Sequence, residues 1–226
     1  PKPVITLSKL DSTFKPLKAK VGHLTVEVTA KPLTVLVTTS DNKPVQKITF
    51  TPDGQMSFAL DGHPILGLGE GGPKQSDKWQ DDKVEFDRRG RDHILQPRYD
   101  TKAYGSRSPV ALLAGTGGWG LFVATPWGDI DLTSKETGTF TPAVPIVPGT
   151  VVSRRQQRAG RIGLPPPGWK TDVYDVFVFD AHEPAKFMKD VSTISGPAVL
   201  PPRWAMGYMQ SHRTLEDDAQ IVSIVD

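Results

Sequence analysis

Short runs in which every second residue is apolar recur through the first 180 residues, and turn signals separate them. In HLTVEVTA, Leu24, Val26 and Val28 fall on one face of an extended chain. KITFTPDGQMSFAL is typical of two strands joined by a turn at residues 52–54. The chain has 21 Pro and 21 Gly, which makes turns frequent and disfavours long helices. This pattern predicts a mainly β fold, an antiparallel β-sandwich rather than a doubly wound parallel sheet.

The segment HPILGLGEGG places Gly67, Gly69 and Gly72 in the G-x-G-x-x-G spacing of a dinucleotide-binding loop. That function requires a helix directly after the motif, because the helix N-terminus holds the pyrophosphate. The residues after Gly72 carry no apolar helical stripe, and the surrounding sequence is typical of hairpins. We therefore interpret the glycines as positions that permit positive φ where a strand passes into a loop.

A long polar stretch, residues 71–108, follows this turn and carries the aromatic residues Trp79, Phe86, Tyr99 and Tyr104. Loops of this length in compact domains are usually functional or mobile. Two interpretations stay open for it. The stretch is either a solvated excursion with aromatic anchors or a loop that reaches into a binding site.

Composition excludes several classes of partner and site. The net charge of +2 is too small to indicate nucleic acid or an anionic membrane as a partner. The absence of Cys excludes disulfides, thiolate zinc sites and cysteine nucleophiles within the 226 residues. His23, His63, His93 and His182 do not form a metal-ligand spacing, so we expect no metal and no cofactor and interpret them as surface or packing histidines.

After residue 180 the pattern changes from strands to helix and strand. HEPAKFMKDVSTIS predicts a helix that begins near Pro184, with Phe187, Met188, Val191 and Ile194 on its apolar side. The segment GPAVLPP then ends the helical pattern. RWAMGYMQ has the length of a strand, and LEDDAQIVSIVD returns to helical spacing. The order strand, polar loop, helix predicts a βα unit, which needs neighbouring strands outside these residues.

From about residue 20 onward, the sequence resembles glycoside hydrolase family 31, the α-glucosidase and α-xylosidase family. The resemblance rests on GLGEGG, on RYDTKAYGSRSPVALLAGTGGWGLFVATP, and on VYDVFVFDAHEPAKFMKDVSTISGPAVLPPRWAMGYMQSHR, in this order. It implies a galactose-mutarotase-like β-sandwich in residues 1–181 and a linking helix and linker in residues 182–201. Residues 202–226 would be the first βα unit of a truncated catalytic (β/α)8 barrel.

The resemblance also implies an activity, that of a retaining, exo-acting α-glycoside hydrolase. Such an enzyme needs two carboxyl groups about 5–5.5 Å apart, and the family supplies them as two Asp residues on later barrel strands. We therefore assign no catalytic residue within residues 1–226 and expect this chain alone to be inactive. The expected partners are an oligosaccharide or α-glycoside substrate, the remainder of the same polypeptide and, as an open hypothesis, a second copy of the chain.

Four residues are candidate substrate-binding groups. Asp100 matches the family's sandwich-loop acid that hydrogen-bonds a sugar hydroxyl, although Arg98 stands where the family usually has Asn; alternatively, Asp100 is a turn-forming residue. Trp79 is a candidate sugar-stacking platform in the polar stretch. His212 and Arg213 follow the predicted barrel strand, where this fold carries its site.

Other interpretations remain for the residues around these candidates. The SHRT segment is also typical of a helix cap, with Thr214 as N-cap and Asp217 at the third helical position, and the two interpretations are compatible. Trp204 is predicted to pack between barrel and sandwich, and Glu70 to accept backbone N–H groups in its glycine turn. The alternative functions are a non-catalytic carbohydrate-binding sandwich and a purely structural or oligomer-forming one. The start at Pro1 without Met, together with the usual location of family members, leads us to expect a periplasmic or secreted protein.

Overall fold

The computed structural model describes residues 16–52, 54–69, 86–95, 109–125, 127–143, 174–207 and 217–225. The chain divides into two compact units, Pro1–Val191 and Ser192–Asp226. The strands in the described residues are β1 (Leu17–Val21), β2 (Leu24–Ala30), β3 (Leu33–Thr39), β4 (Pro44–Phe50), β5 (Met56–Ala59), β6 (Ile65–Gly67), β7 (Asp92–Ile94), β8 (Leu112–Gly115), β9 (Trp119–Val123), β10 (Gly128–Asp131), β11 (Thr137–Pro142) and β12 (Val176–Asp180). The helices are α1 (Pro184–Ser195) and α2 (Asp218–Val225), with a 3₁₀ turn at Arg203–Met206.

The strands form two sheets, and every pairing is antiparallel. The larger sheet has eight strands in the order β1-β2-β3-β4-β5-β11-β10-β7, and the smaller sheet has four in the order β12-β9-β8-β6. Alternate residues of both sheets meet in one buried core, for example Ile130 and Phe140 from the larger sheet and Leu113, Leu121 and Val123 from the smaller. The predicted antiparallel sandwich is confirmed.

The predicted hairpin in KITFTPDGQMSFAL is confirmed as β4 and β5. Its turn is closed by the Thr51 N–H, which donates to the Gln55 carbonyl at 2.9 Å, and by the Gly54 N–H, which donates to the Thr51 carbonyl at 3.1 Å. Gly54 has φ +81°, a conformation that glycine adopts without steric cost. β1, β7 and β11 were not among the predicted strands.

The side chain of Gln46 makes hydrogen bonds to the backbone where the regular pairing between β4 and β5 ends. Its side chain is buried, and its Oε1 accepts the N–H groups of Ala59 and Lys47, each at 2.8 Å. Its Nε2 donates to the Ala59 carbonyl at 3.2 Å. A buried amide is tolerated here because these backbone groups satisfy both its acceptor and one of its donors.

Helix α1 confirms the helix predicted from HEPAKFMKDVSTIS. Pro184 is its first residue, where a missing N–H costs nothing, and Gly196 just after it has φ +85°. Phe187 is buried and meets Phe179 of β12 edge-on, with ring centroids 5.6 Å apart. Met188, predicted on the same apolar side, is exposed.

Two details of the C-terminal unit correct the sequence analysis. Residues 203–206, predicted as part of a strand, form a 3₁₀ turn instead, since an extended segment has no paired backbone to stabilise it without neighbouring strands. The N-cap of α2 is Asp217 rather than Thr214, because the Asp217 Oδ1 accepts the Gln220 N–H at 2.8 Å. Among the described helices, none has the length and apolar character to cross a membrane.

Candidate functional site at one end of the sandwich

The four candidate substrate-binding residues, Trp79, Asp100, His212 and Arg213, lie outside the described residues, as do Glu70 and Gly72. The structure therefore describes the framework that anchors the segments carrying the first two. Trp204, predicted to pack between two domains, lies in the 3₁₀ turn with 79% of its surface exposed.

The glycine turn after β6 is held in a left-handed backbone conformation. Gly67, Leu68 and Gly69 have φ values of +110°, +62° and +77°. The Leu68 N–H donates to the Leu112 carbonyl at 2.9 Å, and a Cβ on Gly67 would lie 2.1 Å from the same oxygen. Gly67 and Gly69 thus permit positive φ at a strand exit, as predicted, and the antiparallel pairing of β6 with β8 excludes the βαβ unit of a dinucleotide site.

Arg88 fastens this turn to the chain that follows the undescribed residues 70–85. Its Nε donates to the Gly67 carbonyl at 3.0 Å and its Nη2 to the Gly69 carbonyl at 3.2 Å. The Arg88 backbone N–H donates to the Ile65 carbonyl at 2.8 Å. A guanidinium suits this task because its fixed fork of N–H groups reaches two carbonyls at once. Sequence reasoning missed Arg88, since nothing in DRRGRD distinguishes a structural arginine from a solvated one.

Residues 86–95 join the two sheets along one side of the sandwich. Their first part runs beside β6, the outermost strand of the smaller sheet, and Asp87 Oδ1 accepts the Ile65 N–H at 3.1 Å. Their last part is β7, the outermost strand of the larger sheet. The ion pair between Asp87 and Arg89, 2.7 Å long, lowers the pKa of Asp87 to about 2, mainly through the hydrogen bonds from Arg89.

His93 of β7 is buried in this bridge and its Nε2 lies 2.7 Å from the Arg88 carbonyl. Because that carbonyl only accepts, the Nε2–H donates. Burial lowers the pKa of His93 to about 4, so the ring is neutral at physiological pH. The interpretation of His93 as a packing histidine is confirmed.

Tyr174, two residues before β12 begins, ties the two sheets together at the end where these loops attach. Its hydroxyl donates to the Gly54 carbonyl at 2.8 Å, and its ring meets Phe140 edge-on at 5.0 Å. Burial raises the pKa of Tyr174 to about 12, so the hydroxyl stays protonated and able to donate.

The long undescribed segments attach to this same end, which we call the loop-bearing end. The chain leaves it after Gly69, Leu95 and Ala143 and returns to it at Pro109 and Tyr174. Backbone hydrogen bonds hold these positions. Leu95 donates to Gly128 at 2.9 Å, Ala143 to Trp127 at 3.4 Å, and Ala124 to Asp175 at 2.9 Å. The segments with Trp79 and Asp100 therefore start from a rigid common base, which is the usual arrangement of a binding site.

The opposite end of the sandwich carries a hydrogen-bonded cluster around Asp180. His182 Nδ1 lies 2.6 Å from one carboxylate oxygen and His23 Nε2 lies 2.8 Å from the other. Burial raises the pKa of Asp180, but the hydrogen bonds from His182 and His23 outweigh it and the pKa is lowered. The cluster joins the β1–β2 turn to the start of α1. Within the described part of the chain, no group of His, Asp and Glu side chains is arranged to hold a metal ion.

The structure is similar to solved structures of glycoside hydrolases. One is a family 31 dextranase from Flavobacterium johnsoniae complexed with isomaltotriose (TM-score 0.57, 14% identity, 88% of this chain and 22% of that chain). Another is a cycloalternan-forming enzyme from Listeria monocytogenes in complex with a pentasaccharide substrate (TM-score 0.59, 14% identity, 88% of this chain and 18% of that chain). No family model matches the sequence and no curated protein matches it.

The likeness to family 31 structures predicted from the sequence is thus confirmed at the level of the fold. The chain spans about one fifth of the length of the two enzymes that it resembles.

Proposed function

We propose that this chain is the N-terminal portion of a retaining, exo-acting α-glycoside hydrolase. The sandwich (residues 1–181) supports a catalytic (β/α)8 barrel that begins at residue 202, after a linking segment of residues 182–201. The observation that carries the proposal is the match of fold over 88% of the chain to two enzymes whose structures hold a bound isomaltotriose and a bound pentasaccharide substrate. We extend the proposal to a periplasmic or secreted location.

In this proposal, the loop-bearing end faces the substrate. Asp100 accepts hydrogen bonds from sugar hydroxyls and Trp79 offers a ring for stacking, both from segments anchored on the base formed by Arg88 and Tyr174. His212 and Arg213 are further candidate substrate-binding residues in this proposal. Two neighbouring hydroxyls suit a carboxylate, which accepts charge-assisted hydrogen bonds through both oxygens. The two catalytic Asp residues are supplied by the barrel beyond residue 226, so the 226-residue chain alone has no glycosidase activity.

The test is Asp100→Ala in the full-length enzyme, assayed against a panel of nitrophenyl α-glycosides. Loss of a charged hydrogen bond is worth about 1.5–3 kcal/mol, so kcat/KM should fall about tenfold to a hundredfold, with KM raised and kcat lowered. Asp82→Ala, in the same polar stretch, is the matched control and should leave both constants unchanged. Equal kinetics of the Asp100→Ala and Asp82→Ala variants would remove Asp100 from the site.

The alternative function, a non-catalytic carbohydrate-binding sandwich, gives a different outcome. Isothermal titration of the 226-residue chain with isomaltotriose should then show binding, while the full-length protein releases no sugar from any α-glycoside. In the enzyme proposal, the activity requires the full-length protein.

A further inference from the structure

Four ionisable side chains meet at the end of the sandwich opposite the loop-bearing end. His23 lies in the β1–β2 turn, Asp180 is the last residue of β12, His182 follows shortly after it, and Lys186 lies in the first turn of α1. The proposed glycosidase activity gives this cluster no role, because the candidate substrate loops attach to the other end of the sandwich.

Asp180 fixes which nitrogen of the His23 ring carries the proton. The Asp180 Oδ2 lies 2.8 Å from the His23 Nε2. Although burial opposes it, the hydrogen bonds from His182 and His23 keep the pKa of Asp180 below its usual value, so this carboxylate is ionised at neutral pH. A carboxylate only accepts hydrogen bonds, so the Nε2–H donates and the Nδ1 keeps a lone pair that can take up a proton.

The amine of Lys186 lies against the ring of His23. Its Nζ is 3.3 Å from the Nδ1 and 3.0 Å from the Nε2. Because the Nε2 already donates to Asp180, the Nδ1 is the ring atom that can accept a hydrogen bond from Lys186. Contacts between a base and its partner are often long in the absence of a reactant and shorten when it binds. One ring therefore joins an amine on one side to a carboxylate on the other.

The surrounding fold holds the ring and the amine in place and leaves the amine open to solvent. The Ser40 N–H donates to the His23 carbonyl at 2.8 Å, which fixes the β1–β2 turn. Phe187, next to Lys186, is buried and anchors α1 on the smaller sheet. Lys186 itself is exposed, so a reagent in solution can reach it.

We propose that Lys186 is a site of covalent acylation, with His23 as the general base and Asp180 as the group that orients the base. A nucleophile within hydrogen-bond reach of a base, which a third group orients, is the arrangement that activates side chains for covalent chemistry. The co-reactant is a small acyl phosphate, because its departing phosphate can take up the proton that the base holds.

The reaction exchanges phosphate for the lysine nitrogen at the acyl carbon. The ammonium of Lys186 gives one proton to the Nδ1 of His23, and Asp180 stabilises the imidazolium that forms. The neutral amine attacks the acyl carbon, so that the C–N bond forms and the C–O bond to phosphate breaks. Nζ loses two protons in all, of which one passes from His23 to the departing phosphate and the other goes to water. The product is an uncharged ε-N-acyl-lysine.

The test measures the acetylation rates of individual lysines when the full-length protein is treated with acetyl phosphate, using peptide mass spectrometry. Lys189, which is also exposed and lies about one turn further along α1, is the internal control. A positioned general base contributes about a hundredfold or more to a rate. Because this cluster is open to water, we expect Lys186 to react at least about tenfold faster than Lys189.

Two variants separate the base from the rest of the cluster. His23→Gln keeps a side chain that can hydrogen-bond Asp180 but cannot take up the proton. The ratio of the Lys186 rate to the Lys189 rate should then fall to about one. His182→Gln removes the other ring from Asp180 and leaves the contact between His23 and Lys186, so the ratio should persist. Because each ratio is taken within one molecule, a loss of stability that affects both lysines does not change it.

Equal rates of Lys186 and Lys189 in the protein without substitutions would overturn the proposal. So would a high ratio in the His23→Gln variant, since another group would then remove the proton. An equal loss in the His182→Gln variant would also overturn it, because the cluster would then act only through its overall structure. Glycosidase activity plays no part in these measurements, so their result is independent of the proposed function.

Discussion

At the scale of single residues, the fold removes the imidazole of His93 from water. The ring is only 4% exposed and donates to the Arg88 carbonyl, so a proton added to the ring would be buried beside Arg88 and Arg91, both of which lower the pKa. The folded pKa of about 4 stands against 6.5 for a free histidine. This difference corresponds to about 3 kcal/mol between the protonated and neutral forms.

We expect the stability of the protein to depend on pH through His93. Above pH 6.5 the side chain is neutral in both states. As pH falls from 6.5 toward 4, the unfolded chain takes up a proton that the folded chain does not, so the free energy of unfolding decreases. His93→Gln keeps an N–H donor but cannot titrate, and its free energy of unfolding should fall less steeply over this range. Urea denaturation of both proteins measures the slopes, and parallel curves would contradict the assignment.

The sequence could identify His93 as a surface or packing histidine but not its partner. The partner is a backbone carbonyl five residues away, and the bond exists only because β7 joins the larger sheet while Arg88 lies beside β6. The same limit applies to Gln46, whose alternation places it inward but whose partners are backbone groups of β4 and β5. Hydrogen bonds from a side chain to distant backbone groups depend on the tertiary structure, so the residue type alone does not predict them.

At the scale of elements, the β6 exit depends on the backbone conformation of Gly67. Gly67→Ala should be much more destabilising than Gly22→Ala, although both glycines have positive φ. A Cβ at Gly22 meets nothing within 4 Å, whereas a Cβ at Gly67 meets the Leu112 carbonyl. Gly22→Ala should cost about 1 kcal/mol, and Gly67→Ala at least about 2 kcal/mol more, since backbone must move. Thermal denaturation of both variants gives the comparison, and equal losses would show that the β6 exit relaxes freely.

The strands predicted from the sequence were those with regular alternation of large apolar residues. β11 was missed because one of its inward positions is Gly138, where the Phe58 ring fills the space that a Cβ would occupy. Only Phe140 then remains as a large apolar signal in TGTFTP. β7 was missed because it has only three residues and is surrounded in the sequence by charged residues. Residues 203–206 were predicted as strand from their apolar content, which does not report whether a pairing partner is present.

At the scale of the whole molecule, the fold class and the likeness to family 31 structures could be predicted from the sequence. An antiparallel sandwich can be predicted because its hairpin turns and its alternating apolar residues are visible in short stretches of sequence. The candidate site could be predicted only as residues, since Trp79, Asp100, His212 and Arg213 lie outside the described part of the chain. What the structure adds is the common base from which two of their segments start.

The described residues 197–207 carry exposed apolar side chains and contribute none to the buried core. A chain ending at Gly196 should therefore unfold within about 2 °C of the 226-residue chain, since a change in Tm of several degrees needs about 1 kcal/mol. It should also aggregate less, because Val199, Leu200, Trp204 and Met206 are removed. Differential scanning calorimetry and light scattering test the two expectations. A large drop in Tm would show that residues after Gly196 stabilise the sandwich.

The attachment of the long segments to one end of the sandwich has an evolutionary consequence. Core packing and the glycine turn constrain the strands, whereas sequence between the fixed attachment points is free to lengthen, shorten or change character without disturbing the sheets. Changes in those segments and the stability of the sheets should therefore vary independently of each other. Replacing the segment between Leu95 and Pro109 is accordingly a rational starting point for engineering.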